Sequence, residues 1–168
     1  LRDLPIESRR ANTVVVTKCP PGMQPIDRRI VNNQLMLPSY QHLCYSSIAY
    51  GEVDLPGTPL LVAGIANPKP LLEYLKKQYP NTTLMEYRDH HAFSHRDVQK
   101  ILKLAEQFDC VVTTEKDYMR MQQTSLVQQL GKKLIVVPIK TDFGEDKETF
   151  DRAVMLYVAE NNRQKNTL

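Results

Sequence analysis

From Thr13 onward, short runs of β-branched and other apolar residues alternate with stretches of helical periodicity. Parallel strands need a long crossover connection between them, so this alternation predicts a mostly parallel sheet covered by helices on both faces. The runs 13–17 and 60–65 lack polar alternation, as expected for strands that are buried on both sides. We therefore expect an α/β fold built as three layers of helix, sheet and helix.

The same periodicity places further elements along the chain. Strands are expected at 42–48, 82–87, 110–114 and 133–138, and helices at 25–35, from 68, from 94, from 114 to about 131 and from about 147. In the last helix, Phe150, Val154 and Val158 have the spacing of one inward-facing stripe. Gly and Pro gather at 50–59 while apolar periodicity is lost, which predicts a domain boundary between residues 1–55 and residues 56–168.

Charge and cysteine content exclude several classes of protein. The chain has 168 residues, with 22 basic and 19 acidic side chains spread along it, so it lacks the basic patch of a nucleic-acid binder. Cys19, Cys44 and Cys110 stand singly and are expected to be reduced thiols of a cytosolic protein. No run approaches the roughly 18 apolar residues of a membrane span. The polar start at Leu1, without a methionine, suggests a piece of a longer protein.

Polar and titratable residues follow four of the expected strands. They form the segments Thr17-Lys18, Gly64-Ile-Ala-Asn67, Arg88-Asp89-His90-His91 and Thr113-Thr-Glu-Lys-Asp117. Ligands of open parallel sheets bind outside the carboxyl ends of the strands, because loops and helix N-termini converge there. The sequence therefore predicts a site along one edge of the sheet.

Asp89-His90-His91 is the most distinctive of these segments. A carboxylate beside an imidazole can fix the tautomer of the ring and raise its basicity, which suits general-base chemistry near neutral pH. The alternative is a solvated turn whose imidazoles bond only to backbone. We expect no metal here, because adjacent histidines on a strand do not readily face one ion and no other His or Cys lies at ligand spacing.

The remaining segments each have a structural alternative. Glu115, Lys116 and Asp117 could surround a phosphate or its magnesium at a helix N-terminus, but Thr114 and Asp117 are also a plain helix cap. Asn67 could bind a ligand, or could cap the helix that begins at Pro68.

Thr17-Lys18, by contrast, resembles the turn with which several phosphate-loop enzymes hold a nucleotide base, although a surface lysine at a strand end explains it equally. Neither G-x-x-x-x-G-K-[ST] nor G-x-G-x-x-G occurs in the sequence, so the phosphates of any nucleotide are expected to bind mostly elsewhere.

Taken together and in this order, the motifs resemble the C-terminal half of tetraacyldisaccharide 4'-kinase, the 4'-kinase of lipid A synthesis. The matching elements are Leu1-Arg2-Asp3, Arg10-Ala11-Asn12 before the first strand, Ala63-Gly-Ile-Ala-Asn-Pro68, Tyr87-Arg-Asp-His-His-Ala-Phe-Ser94 and Thr113-Thr-Glu-Lys-Asp117. Each motif alone is weak, but together, at matching order and spacing, they are specific to the family.

The resemblance implies a kinase related to the P-loop NTPases. Such an enzyme uses ATP and Mg²⁺ to phosphorylate the 4'-hydroxyl of a tetraacylated glucosamine disaccharide at the cytoplasmic face of the bacterial inner membrane. In the family, the histidine of the Asp-His motif pairs with an aspartate of the N-terminal half to activate the acceptor hydroxyl. This role carries over to His90, with Asp89 as its orienting neighbour and His91 as a secondary contact to the substrate.

The resemblance also implies what lies outside the chain. Residues 1–55 would correspond to the end of an N-terminal ATP-binding core domain plus linker. Residues 56–168 would correspond to the C-terminal α/β domain. The phosphate loop, the acidic magnesium-binding segment and a membrane-associating helix would precede Leu1. We expect the chain by itself to be a soluble, cytoplasmic fragment without kinase activity, whose partners are the lipid A precursor and the missing half of the protein.

Two other functions fit parts of the sequence. Asp89-His90-His91 is also the signature of the DHH phosphoesterases, which hydrolyse phosphate esters with manganese, but the Asp-x-Asp that those enzymes need after a strand is missing. The chain could also be a non-catalytic α/β binding module whose polar residues at strand ends are ordinary caps.

Overall fold

The computed structural model describes residues 5–165, with side chains described over 7–162. The chain divides into two compact units. The first unit combines residues 1–49 with 141–168, and the second unit is residues 50–140.

The elements follow the predicted alternation. In chain order they are β1 (Thr13–Cys19), α1 (Pro25–Leu35), β2 (His42–Tyr50), β3 (Pro59–Ala63), α2 (Lys69–Lys76), β4 (Thr83–Glu86), α3 (His95–Ala105), β5 (Cys110–Thr114), α4 (Glu115–Met121), α5 (Leu126–Leu130), β6 (Leu134–Val137), β7 (Ile139–Asp142) and α6 (Lys147–Lys165). Short 3-10 helices occupy Pro5–Arg10, Gly131–Lys133 and Gly144–Asp146.

Within the described residues, the second unit contains a four-stranded sheet in the order β4-β3-β5-β6. Neighbouring strands are all parallel, with Leu60 opposite Thr83 on one side and opposite Val111 on the other. β4, which follows β3 in the chain, lies on one side of β3. β6, which follows β5, lies on the opposite side of β5. The carboxyl ends of β3 and β5 therefore form a topological switch point, the place where open α/β sheets bind ligands.

Helices cover this sheet on its two faces, as the predicted three-layer arrangement requires. Leu60 and Val62 of β3 pack with the apolar stripes of α3, α4 and α5. Leu61 and Ala63, which point the other way, pack with Leu71 and Leu75 of α2. The α/β prediction is confirmed, because alternate residues of a strand point to opposite faces and both faces here are buried.

Helix boundaries in the second unit follow local hydrogen bonds. Ser94 and Asp97 form the predicted capping box at α3. The single helix expected from 114 to about 131 is instead two helices, α4 and α5. Thr124 causes the break, since its hydroxyl donates to the Met121 carbonyl at 2.7 Å and accepts from the Leu126 amide at 3.1 Å.

A second sheet has the order β1-β2-β7, in which β1 lies in the first unit and runs parallel to β2. The short strand β7 was not expected, because the predicted strand at 133–138 ended at Pro138 and no separate strand was predicted directly after this proline. The pairing of β1 with β2 shifts register between Val16 and Cys19. Lys18 lies in this irregular stretch with φ 59°, a left-handed conformation that is uncommon outside glycine.

The domain boundary at 55/56 stays a prediction. Residues 141–165 are grouped with residues 1–49 in the first unit. Asp146 explains this assignment, because its Oδ2 accepts from Arg28 and from the Tyr45 amide, each at 2.9 Å. Phe150 of α6 also stacks on Phe143, with ring centroids 4.1 Å apart.

The expected inward stripe of α6 is wrong beyond Phe150. Val154 is 43% exposed and Val158 is 46% exposed. Helical spacing predicts which residues share a face, but burial also requires an element packed against that face.

Candidate functional site

Three loops meet at the switch point of the second unit. They follow the carboxyl ends of β3, β4 and β5 and carry Gly64, the 88–94 segment and the start of α4. Gly64 allows this approach, because a Cβ there would lie 3.2 Å from Asp117 Oδ1 and 3.4 Å from the Arg88 carbonyl oxygen. Close packing is therefore the structural role of this glycine.

Asp117 joins β3 to α4 from inside the protein. Its side chain is fully buried, and its Oδ2 accepts from the Gly64 amide at 2.9 Å and from the Thr114 hydroxyl at 3.0 Å. The Thr114 hydroxyl in turn accepts from the Asp117 amide, which completes the cap of α4. These contacts favour the capping interpretation of Asp117 over the predicted contact with a cofactor, since its oxygens are turned toward protein donors.

Arg120 connects this buried carboxylate to the exposed edge. Its Nη1 donates to Asp117 Oδ1 at 2.9 Å and to the Gly64 carbonyl at 3.0 Å. Its Nη2 lies 3.1 Å from Nδ1 of His90. Sequence reasoning missed Arg120, although its position three residues after Asp117 on a helix was a signal that the two side chains share a face.

Asp89 and Lys116 form the outer part of the same edge. Lys116 Nζ donates to Asp89 Oδ1 at 3.2 Å, and the same oxygen accepts from the His90 amide at 3.0 Å. The hydrogen bond from Lys116 is the main reason that the pKa of Asp89 lies below its ordinary value. Asp89 is therefore ionised at neutral pH, and Lys116 is already engaged with it.

His90 is the most accessible of these groups, with 74% of its side chain exposed. Its backbone is left-handed, with φ 62°. Nε2 of the ring lies 3.5 Å from Asp89 Oδ2, beyond the usual length of a hydrogen bond. The structure thus brings Asp89, His90 and Lys116 together as predicted, but the ring nitrogen in hydrogen-bond contact faces Arg120 instead of Asp89.

His91 points into a different environment. Its ring stacks on Tyr87 at a centroid distance of 4.6 Å and meets the edge of Phe93 at 5.3 Å. Its Nε2 lies 3.0 Å from Asp97 Oδ2. These contacts anchor the loop to α3. The predicted contact of His91 with a substrate stays a prediction.

Asp97 is the charged centre of that anchor. Hydrogen bonds from Ser94, followed by the contact with His91, lower the pKa of Asp97 to about 2. Burial, followed by the negative charge of Asp97, raises the pKa of Tyr87 to about 12. At neutral pH the loop is therefore held by one ionised carboxylate and one neutral phenol.

The other predicted contact residues are exposed. Glu115 accepts from the Ile139 amide at 3.3 Å, and Asn67 Oδ1 accepts from the Lys69 amide at 3.3 Å. The N-cap position of α2 is Pro68, one residue later than expected. Thr17 and Lys18 are exposed at the end of β1 in the first unit. Contacts of these residues with a nucleotide or substrate stay predictions.

Comparison with known proteins identifies the chain's family. A family model described as tetraacyldisaccharide-1-P 4'-kinase matches residues 1–158. The chain belongs to this family of kinases.

Curated relatives named tetraacyldisaccharide 4'-kinase support the assignment. The protein of Bacteroides thetaiotaomicron is 36% identical, over 97% of this chain and 50% of that protein. The protein of Flavobacterium johnsoniae is 35% identical, over 96% of this chain and 49% of that protein. The chain spans about half the length of these tetraacyldisaccharide 4'-kinases.

The elements that suggested the kinase family now have places in the structure. Residues 63–68 follow β3, residues 87–94 follow β4, and residues 113–117 lead from β5 into α4. All three meet at the switch point. Leu1-Arg2-Asp3 lies outside the described residues.

Among residues 5–165, the structure has neither a cluster of metal-ligating side chains nor a membrane-spanning helix. Between residues 5 and 165, no three His, Cys, Asp or Glu side chains come close enough together to hold a metal ion. In the part of the chain with described coordinates, every helix is too short or too polar to span a membrane.

Proposed function

We propose that this chain is the C-terminal part of an ATP-dependent lipid kinase that phosphorylates the 4'-hydroxyl of a tetraacylated glucosamine disaccharide in lipid A biosynthesis. Family membership over residues 1–158 supports the reaction class. The main structural observation in support of a site is the accessible imidazole of His90. It lies at the switch point beside Asp89, Lys116 and Arg120.

The edge residues have the properties that positioning of an acceptor requires. Phosphoryl transfer depends mainly on geometry and on stabilisation of charge, so an exposed ring that is held in place can orient a hydroxyl. Lys116 and Arg120 add positive charge around the ring, and Asp89 holds the backbone of His90. His90 is thus proposed to act on the acceptor, together with an aspartate from the other half of the enzyme.

ATP and Mg²⁺ belong to the complete enzyme in this proposal. Bound ATP supplies the γ-phosphoryl group and Mg²⁺ neutralises its developing charge. Lys116 and the exposed residues Thr17 and Lys18 of β1 are the groups of this chain that could contact the nucleotide, whereas the phosphate loop and the magnesium ligands would be contributed by the preceding half. The chain alone is therefore proposed to be inactive.

The location of the reaction follows from the nature of the substrate. A tetraacylated disaccharide is held in a bilayer by its acyl chains, so the proposed enzyme works at a membrane surface. The family resemblance implies that this surface is the cytoplasmic face of the inner membrane. Membrane contact is assigned to segments outside this chain.

The decisive experiment uses the longer protein that carries this chain. His90→Ala is expected to lower kcat for lipid phosphorylation at least about 100-fold, the scale of a lost acid, base or orienting group. His95→Ala is the matched control, because His95 is an exposed histidine at the first turn of α3. Unchanged turnover of His90→Ala, or phosphoryl transfer by the 168-residue chain alone, would refute the proposal.

A further inference from the structure

We propose that Arg120 is a positioning residue for His90. Its guanidinium holds the ring as the neutral tautomer with the proton on Nε2, so that His90 presents a hydrogen-bond donor at the exposed edge. The proposal deepens the function above and rests on it for the kinetic consequence, whereas the tautomer itself can be tested without any turnover.

The hydrogen-bond chemistry of the two groups fixes the proton. Arg120 Nη2 lies 3.1 Å from His90 Nδ1. A guanidinium only donates and stays protonated in proteins, so Nδ1 must accept. A neutral imidazole has one accepting and one donating nitrogen, which leaves the proton on Nε2. A doubly protonated ring would instead set two donors and two like charges against each other.

Arg120 is itself held firmly enough to impose this choice. Only 18% of its side chain is exposed, and Nη1 bonds both Asp117 Oδ1 and the Gly64 carbonyl. Asp117 is fully buried and is held in turn by the Gly64 amide and the Thr114 hydroxyl. The constraint therefore runs outward, from a buried carboxylate through the guanidinium to the exposed ring.

The backbone of His90 is fixed from the opposite side. Asp89 Oδ1 accepts from the His90 amide at 3.0 Å and from Lys116 at 3.2 Å. His90 keeps a left-handed φ of 62°, a conformation that persists only where the surroundings over-determine it. Among the described residues, Asp89 Oδ2 lies 3.5 Å from Nε2 of the ring, and Arg120 is the charged side chain in hydrogen-bond contact with a ring nitrogen.

This arrangement changes the expected role of His90. While Arg120 occupies Nδ1, Nε2 carries a hydrogen and has no lone pair with which to take a proton. Nε2–H can donate to a hydroxyl oxygen or to a carboxylate brought to the edge. His90 therefore orients its partner, and the general-base role that the Asp89-His90 sequence suggested would require Arg120 to leave the ring.

The tautomer is tested by long-range ¹H–¹⁵N correlation spectra of the longer protein with ¹⁵N-labelled histidine. Spectra are recorded above about pH 8, so that the neutral form of the ring is observed. His90 is expected as the single Nε2–H form, and as a mixture of both tautomers in Arg120→Met. Arg96→Met, at an exposed arginine of α3, is the control and should leave the His90 signals unchanged. A populated Nδ1–H form in the unchanged protein would overturn the proposal.

A double-mutant cycle separates positioning from mere stability. Arg120→Met is expected to lower kcat by about 10- to 100-fold, the cost of a misplaced group. In the His90→Ala background the same substitution should have no further effect, because Arg120 acts through the ring. Arg120→Lys, which keeps a donor and the charge near Asp117, should restore part of the loss. Additive effects in the cycle would overturn the positioning role.

The two proposals fail in different ways. If His90→Ala leaves turnover unchanged, the proposed function of His90 is wrong, and the spectra still decide whether Arg120 sets the tautomer. If His90→Ala is inactive but Arg120→Met is fully active and folded, the function stands and the role of Arg120 is refuted.

Discussion

Removal of the Asp117 carboxylate tests whether the candidate site is assembled from the inside. In Asp117→Ala, the Gly64 amide and the Thr114 hydroxyl lose their acceptor, and Arg120 loses one of its partners. A buried N–H left unpaired costs about 1–3 kcal/mol, and breaking a buried ion pair costs about 3–5 kcal/mol. Arg120 keeps the Gly64 carbonyl and reaches solvent, so we expect a loss of about 3–4 kcal/mol in the free energy of unfolding.

Urea unfolding followed by circular dichroism measures this loss, and amide hydrogen exchange at Gly64 reports it locally. Asp117→Asn keeps the volume and one acceptor oxygen, so it should cost only about 2 kcal/mol, the value of a hydrogen bond to a charged group. Asp54→Ala, at an exposed aspartate of the same unit, is the control and should change stability by less than about 0.5 kcal/mol. A loss below about 1 kcal/mol in Asp117→Ala, with Gly64 still protected from exchange, would refute the reasoning.

Two further predictions concern the loops near Asp117 and Arg120. Gly64→Ala should destabilise the chain by about 1–3 kcal/mol in the same unfolding assay, because the added Cβ would lie 3.2 Å from Asp117 Oδ1; a neutral or stabilising change would contradict the close approach. Because the folded pKa of Asp97 is about 2 and an unfolded aspartate has about 3.9, its stabilising effect is fully present above about pH 5 and is lost as the pH falls toward 2. The stability difference between the unchanged chain and Asp97→Asn should therefore shrink across that range, and a constant difference would argue against this ionisation.

Much of the fold could be predicted from local patterns. The strand at Cys110–Thr114 and the helix at Pro25–Leu35 lie where periodicity placed them, and the capping box at Ser94 is present. These features depend on residues close in sequence, so propensity and spacing suffice. The same local logic failed at 122–125, where a single threonine hydroxyl competes with the helix backbone, and at the strand hidden after Pro138.

The sequence by itself determined an α/β chain with a polar edge at its strand ends, and its motifs indicated the kinase family. Which edge residues touch was decided only by the tertiary structure, because strand order sets which loops are neighbours. The order β4-β3-β5-β6 brings Gly64 beside Asp117 and Arg120, and Arg120 beside His90, across separations of 53, 56 and 30 residues. No periodicity encodes such pairs, since they follow from how parallel strands are arranged in the sheet. Asp89 and His90 are adjacent in sequence, yet the hydrogen bond to the His90 ring comes from Arg120, which only the fold brings close to it.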